Sequence, residues 1–454
     1  MNKIKNIFQQ LFSWRGEVGR GIYASTGFIL FFIKWNLDRI ISGYFFSITW
    51  LPYQYLLPET DLQNKKDLAL ILSITALPFI YIGVLLTVKR LRAIGAPTFL
   101  ASLFFIPFIN LIFFMALSAL PNRISGSADE PPPPNWVSRL VPRTKWKSFF
   151  FSAGVSVLPC LLLLLTAVQV LHNYGLGVFV GLPFVQGVFT VLLHSCHYRR
   201  GYFHCLLIAL SACCLLAICI VLFAIEGFIC LTMAMFIAGP ICILGASVGY
   251  FIQATYHANR MPPLILIALL FLMGFEKAKP TKPISFAVTS TIEVNAPPEI
   301  VWQNVVSFSE LPPVEDWLFK TGLAYPIRAK INGTGVGAIR HCEFSTGPFV
   351  EPITVWNEPS HLRFSVTSMP QPMQEWTFYK HIEPAHLDGY FQTTQGEFRL
   401  ESIHDGKTRL QGTTWYQNDL APAHYWKVWS DFLIHRIHLR VLKHVKHLSE
   451  NQSN

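Results

Sequence analysis

The hydrophobic pattern of the chain changes period near residue 280. Before that point, apolar runs of about 20 residues recur, the length that carries an α-helix across a hydrocarbon core. They fall at 22–46, 68–88, 98–120, 148–170, 177–195, 203–225 and 228–252. An eighth run, 263–275, has 13 residues. At about 1.5 Å per residue it covers only about 20 Å, so it reads as a half-span or a surface segment. Pro107 breaks the third run. After residue 280 the period drops to two. Ser285–Val294 (SFAVTSTIEV) alternates as a strand does. Asn295-Ala-Pro-Pro-Glu-Ile-Val-Trp302 predicts a helix start, with Asn as cap and Pro in the first turn. Strands are predicted at 333–344, 349–356, 362–368, 375–381, 389–402 and 408–417, and His404-Asp-Gly-Lys407 predicts a hairpin turn. A helix of roughly 25 residues follows Pro422.

These elements predict a multi-pass α-helical membrane protein of six to eight membrane segments, followed by a C-terminal α+β domain. The expected divisions are a first membrane module at 1–120 with about three hydrophobic segments, a linker at 121–147, a second membrane module at 148–275 with four to five segments, and the C-terminal domain at 284–448. The linker contains Asp-Glu-Pro-Pro-Pro-Pro and reads as a stiff polyproline spacer.

Composition agrees. The chain is 52% hydrophobic and 14% charged, with mean hydropathy +0.39, too apolar for an ordinary soluble enzyme. Residues 1–280 hold 21 Lys and Arg against 9 Asp and Glu, whereas residues 281–454 hold 15 against 17. The basic excess therefore belongs to the membrane part, where cytoplasmic loops collect it. No basic stripe with interleaved aromatics marks the C-terminal part, so no nucleic-acid partner is expected. The basic N-terminus leads into no short apolar core with a cleavage site and reads as retained. The positive-inside rule places Lys3, Lys5, Arg15, Arg20 and Lys89–Arg92 in the cytoplasm, with 139–147, Arg199-Arg200 and Arg260. Six spans with 98–120 and 263–275 re-entrant satisfy every basic loop. That count leaves the C-terminal domain cytoplasmic, as eight spans would, whereas seven would put it outside. Eight of nine cysteines lie between Cys160 and Cys242, so the C-terminal domain, with Cys342 alone, can hold no internal disulfide.

The segment Ala296-Pro-Pro-Glu-Ile-Val-Trp302 after the first strand, the strand Gly412-Thr-Thr-Trp-Tyr416 and the long last helix resemble the START-like (SRPBCC) superfamily, with its polyketide cyclase and lipid-transfer relatives. The resemblance covers about 284–448. It implies a helix-grip fold, in which the sheet curls around the last helix and the space between them holds an apolar ligand. The first 120 or so residues resemble a bacterial membrane family, domain of unknown function 805. The carriers are FSWRGEVGRGIY (12–23), KRLRAIG (89–95), FIPFINLIFF (105–114) and Pro121-Asn-Arg123. Where that family has Arg-Leu-His-Asp-x-Gly, this chain has Arg90-Leu-Arg-Ala-Ile-Gly95, so the ionisable pair is absent. The resemblance implies a bacterial inner membrane and no particular activity.

Candidate chemistry concentrates in the last helix. With Ile434 at zero and about 100° per residue, Ile437, Val441, Val445 and Leu448 form one apolar stripe. His438 lies inside it, Asp431 and His435 at its edge, His444 on the other edge, and His447 faces water. Asp431, His435 and His438 can therefore converge as a polar spot in an apolar cavity, binding a head group or moving a proton, or else be packed against strand partners. Zinc would need further ligands from the sheet, which the helix alone does not supply, so neither metal nor cofactor is expected. Glu343 and Glu351 flank Ser-Thr-Gly-Pro-Phe on two predicted strands, and alternation does not say which faces inward. Trp356, Trp376, Trp415, Trp426 and Trp429 are core or rim residues, some of which could line the pocket. His194-Ser-Cys-His197 with His204-Cys205 reads as an interfacial loop beside Arg199-Arg200. Glu226, next to Gly227, reads as the tip of a loop between spans. Gly333-Thr-Gly-Val-Gly337 lacks the Lys-Ser/Thr of a phosphate loop and reads as a turn.

The candidate binding set is thus His438, His435, Asp431, Ile434, Val441, Val445, Glu343 and Trp415. It supports a membrane-tethered domain that binds a membrane lipid or another apolar small molecule. The alternatives are a cyclase- or dehydratase-type enzyme using His438 with Asp431 or Glu343, and a membrane scaffold or sensor that docks a protein.

Overall fold

The structure, a computed structural model, describes residues 13–46, 48, 50–51, 55, 66–105, 109–119, 139–255, 262–277, 284–379, 382 and 384–453. Most of the predicted linker, and the basic residues Lys3, Lys5 and Arg260, lie outside the described residues. The chain divides into two compact units: Met1–Cys219 with Ala234–Lys282, and Ile220–Met233 with Pro283–Asn454.

The first unit is helical. Helices α1 (Arg20–Phe46) and α2 (Lys66–Ile94) are followed by a tight 3-10 stretch (Thr98–Phe105) and α3 (Ile109–Ala119). Next come α4 (Lys145–Leu165), α5 (Leu182–His194), α6 (Tyr202–Leu222), α7 (Phe228–Thr255) and α8 (Pro262–Lys277). Among the described residues, five helices are long and apolar enough to cross a membrane: Asp67–Ile94, Lys145–Val170, Gly177–His194, Tyr202–Leu222 and Phe228–Gln253. Within the predicted run 98–120, the described residues form the 3-10 stretch Thr98–Phe105 and helix α3, Ile109–Ala119. Helix α1 carries Lys34, Asp38 and Arg39 at its centre, and Lys34 and Asp38 form a buried ion pair. Helices α5 and α7 meet backbone to backbone. A Cβ on Gly187 would lie 2.3 Å from the Cys242 carbonyl oxygen, and one on Gly245 2.1 Å from that of Phe184. Small residues permit this approach, which apolar association in lipid requires.

Contacts within this unit sort the helix ends. Ser148 Oγ lies 3.0 Å from His194 Nδ1, His197 Nε2 lies 2.7 Å from the Val141 carbonyl oxygen, and the Arg200 N–H donates to Gln253 Oε1 at 3.0 Å. Phe99 stacks edge-on against Phe251 at 5.6 Å, and Arg92 donates to the Trp14 carbonyl. Trp14, Arg92, Lys145, Arg199 and Arg200 are therefore gathered at one end of the bundle. At the other end, Glu276 near the close of α8 accepts from the N–H groups of Leu176 (2.6 Å) and Gly177 (3.1 Å), which open the helix leading into α5. A carboxylate there complements both the unpaired N–H groups and the helix dipole.

The second unit is a helix-grip domain. Seven antiparallel strands run in the order β1-β7-β6-β5-β4-β3-β2, with β1 Ser285–Val294, β2 Pro326–Asn332, β3 Ile339–Phe344, β4 Gly347–Asn357, β5 His361–Ser365, β6 Phe391–Ile403 and β7 Lys407–Asn418. Helix α9 (Pro298–Val306) follows β1, α10 (Trp317–Lys320) is one turn, and α11 (Ala423–Ser453) closes the chain. On one face of the sheet, Val294, Leu362, Leu400 and Leu410 pack with Trp302 of α9 and with Val441, Leu442 and Val445 of α11. A second cluster joins Val288, Tyr416 and Ile434. The predicted apolar stripe of α11 is thus the face that grips the sheet.

Three local expectations are corrected. The cap of α9 is Pro297 rather than Asn295, whose N–H instead donates to Glu450 Oε1 at 2.8 Å. Strand β2 was not predicted. The predicted strand at 375–381 is irregular across its described residues: the Glu375 carboxylate and the Trp376 carbonyl accept from the backbone of residues 228–230, and this tertiary pairing replaces a ladder.

Candidate functional site

Alternation along β7 turns Thr414 and Tyr416 toward α11 and leaves Trp415 on the opposite face. Thr414 Oγ1 lies 2.7 Å from His438 Nε2. Ser290 Oγ on β1 lies 3.0 Å from His438 Nδ1 and 2.7 Å from His435 Nδ1. These contacts form a row, His435–Ser290–His438–Thr414. A hydroxyl has one proton, so Ser290 donates to one imidazole and accepts from the other. Burial, and then the neighbouring His435, pull the His438 pKa down to about 4, so this ring is neutral near pH 7. Asp431 is held separately. It accepts from the Tyr416 hydroxyl at 2.6 Å and pairs with Lys427. Burial, and then Asp431, raise the Tyr416 pKa.

The structure thus brings His435 and His438 together, with Asp431 a turn away on its own partners. Ile434, Val441 and Val445 lie in the grip core. Glu343 and Trp415 do not join them. Glu343 is paired with Arg328 on a partly exposed surface, Nε to Oε2 2.6 Å, because its neighbour Cys342 takes the inward position on β3. Trp415 stacks under the Arg363 guanidinium at 5.3 Å on the outer face. His444 meets Phe308 edge-on at 6.1 Å, and His447 is exposed, as predicted.

Glu351, not Glu343, faces inward. It pairs with Arg340, its register partner on β3. Arg340 is 2% and Glu351 5% exposed. The guanidinium sits 5.6, 5.4 and 5.7 Å from the rings of Phe308, Phe364 and Phe398, and its Nε donates to the Val306 carbonyl at 3.2 Å. Burial pushes the Glu351 carboxyl up, and Arg340 only partly offsets this. For Arg340, burial is the largest influence and opposes the charge, but Glu351 and Cys342 together outweigh it and the pKa rises. The ion pair on β3 and β4 and the histidine row against β1 and β7 lie on separate strands and are linked through the Phe398 ring, which Arg340 also faces. Gly412, the ladder partner of Ser290, lies beside Phe398 and Leu442, with ring and methyl carbons 3.5 and 3.6 Å from its Cβ position. Sequence reasoning weighed Glu351 without Arg340. The available signal was a cation at the parity of Cys342 on an alternating strand.

The other candidates disperse. His194 bonds Ser148, His197 bonds Val141, and Cys205 receives the Gln253 amide at 3.4 Å, so they do not converge on one point. Glu226 lies in the turn between α6 and α7, where it meets His386. A cleft of about 380 Å³ bounded by His361, Arg399, Glu401 and Arg409 is polar and crossed by the Arg409–Glu401 pair.

No family model and no curated protein matches the chain. Solved structures similar to it include norcoclaurine synthase from Thalictrum flavum, 11% identical over 38% of this chain and 100% of that one, with TM-score 0.26. The Zhui aromatase/cyclase from Streptomyces sp. R1128 is 13% identical over 38% of this chain and 97% of its own, with TM-score 0.26. Ara h 8.0201 is 11% identical over 37% and 99%, with TM-score 0.24. From its own topology, the chain is of the class that couples apolar, membrane-length helices to a helix-grip domain.

Proposed function

We propose that the helix-grip domain binds a membrane lipid or similarly apolar small molecule bearing an anionic head, with Arg340 as its anchor. The observation that carries this reading is the Arg340–Glu351 pair, enclosed by Phe308, Phe364 and Phe398 on the concave face of the sheet. A guanidinium presents five N–H donors in a planar fork suited to carboxylate or phosphate. Three aromatic rings around it suit an apolar chain. His438, on the same concave face, adds a polar ring that is neutral near pH 7. The apolar helices of the same chain keep the domain where such ligands are concentrated.

The test uses the full-length chain purified in detergent, extracted with organic solvent and compared by mass spectrometry with an unrelated membrane protein prepared identically. A reproducibly enriched acidic lipid, lost in Arg340→Met and retained in Arg340→Lys, is expected. No enrichment, together with no saturable binding of cis-parinaric acid, would end this reading.

We also infer the side of the membrane. The basic residues gather at the Lys145–Arg200 end, which the positive-inside rule assigns to the cytoplasm. The chain leaves α8 beside Gly177, at the opposite end. The grip domain is therefore extracytoplasmic.

A further inference from the structure

Within the second unit, Cys230, Glu375 and His386 place one donor atom each within 4.8 Å of one another. They come from the first turn of α7, from the irregular stretch around Glu375 and from the 3-10 turn Ala385–Leu387. We propose that these three side chains bind a single divalent transition-metal ion of the zinc class, oriented by Glu226. The inference is independent of ligand binding in the grip.

Four features of the geometry support it. First, thiol, imidazole and carboxylate together are the donor set of tetrahedral zinc sites. Second, His386 is already aimed. Its Nδ1 lies 2.9 Å from Glu226 Oε2, which leaves Nε2 directed at Cys230 Sγ, 2.8 Å away. A carboxylate on the far nitrogen of a ligating imidazole is the usual outer partner of such a site. Third, Glu375 is fixed by the helix it caps, accepting from the N–H groups of Ile229 and Cys230 at 3.2 Å each. Fourth, a further soft donor is adjacent, with Met373 Sδ 3.6 Å from Cys230 Sγ. Gly227 completes the cradle, since a Cβ there would lie 2.1 Å from Glu375 Oε2.

Two ligands of one tetrahedral zinc, at about 2.3 Å (S) and 2.0 Å (N), sit about 3.5 Å apart. The Cys230–His386 distance of 2.8 Å therefore has to open by about 0.7 Å, within the reach of side-chain rotation. Binding releases the thiol proton to solvent, and the imidazole binds in its neutral form. The ion would tie the turn between α6 and α7 to the segment carrying Glu375 and His386.

The experiment adds Co(II) alone to untagged, metal-stripped full-length protein in detergent and records the absorption spectrum. One equivalent should bind, with a near-ultraviolet thiolate-to-cobalt band and intense tetrahedral visible bands. Zn(II) should displace it. Cys230→Ser should abolish the thiolate band, and Glu226→Gln, which keeps size and shape, should weaken affinity by about 10–100-fold. Cobalt bound without a thiolate band, no stoichiometric binding, or an unchanged affinity in Glu226→Gln would each overturn the proposal. Because Glu226→Gln and the wild-type spectrum suffice, a Cys230→Ser chain that failed to fold would leave the test intact.

Discussion

Replacing Arg340 with methionine leaves Glu351 alone among Phe308, Phe364 and Phe398. A buried carboxylate that loses its partner typically costs about 3–5 kcal/mol, mostly through desolvation of the remaining charge. In a domain of this size each kcal/mol moves the melting midpoint by about 2–4 °C. The midpoint should therefore fall by about 6–20 °C, read from intrinsic tryptophan fluorescence of the full chain in detergent. Trp302 and Trp356, in contact at 5.4 Å in the same core, are the natural reporters.

The direction of the pH dependence discriminates further. The Glu351 carboxyl is raised by burial even with its partner present, and losing the cation raises it more. An acid whose folded pKa lies above its unfolded value is stabilised below the unfolded pKa and penalised as pH rises through the folded one. The Arg340→Met deficit should thus be smaller at pH 5 than at pH 8. Glu351→Gln strands a guanidinium that cannot release its proton, and its melting midpoint should lack the Glu351-linked slope over that range. The double substitution Arg340→Met with Glu351→Leu should return to within about 1–2 kcal/mol of the parent. An Arg340→Met chain melting within about 2 °C of the parent at both pH values would refute the buried pair, and the anchor argument with it.

Three further outcomes are expected. Because burial and His435 hold the His438 pKa down at about 4 against 6.5 unfolded, its contribution is complete above pH 6.5 and is lost as pH falls toward 4. The loss is at most about 3 kcal/mol, and thermal melts of His438→Gln should lack that slope. Gly245→Leu should abolish accumulation of folded protein in the membrane, whereas Gly154→Ala, with nothing within 4 Å of its Cβ position, should be silent; size-exclusion profiles decide this. A C-terminal epitope should be removed by protease from intact spheroplasts, and its protection there would reverse the inferred side.

The broad organisation was legible because it rests on period. Runs of about 20 apolar residues mark helices in lipid and alternation marks strands, and both signals are local. The stripe Ile434–Val441–Val445 was legible for the same reason. Parity alone left Glu343 and Glu351 undecided. Cys342 and Ile353 on the two strands resolve it, since both are buried and share parity with Arg340 and Glu351 respectively. Cys230 and His386 were beyond reach in kind. They are separated by 156 residues, on a membrane-length helix and a non-repeating segment, and no local pattern announces such a meeting. Strand β2 was missed because its alternation is short and opens on Pro326.

The proposed side of the membrane turns on one short apolar helix, α8. A 13-residue apolar run reads as a piece that enters and leaves by one face, which returns the domain to the cytoplasm. The helix observed has 16 residues, Pro262–Lys277, about 24 Å long. It gains its last turn from Glu276-Lys277, residues that hydropathy counts as loop. Glu276 is 9% exposed because it spends its charge on the N–H groups of Leu176 and Gly177. A carboxylate satisfied this way need not reach water, so the polar end of the helix lies within the bundle; in the proposed orientation this helix, shorter than a full span, carries the chain from the basic end to the opposite one. Substituting Glu276 with Gln would keep the acceptor for one N–H but lose the charge that matches the helix dipole. That change should weaken the exit point of the grip domain before it disturbs any other part of the bundle.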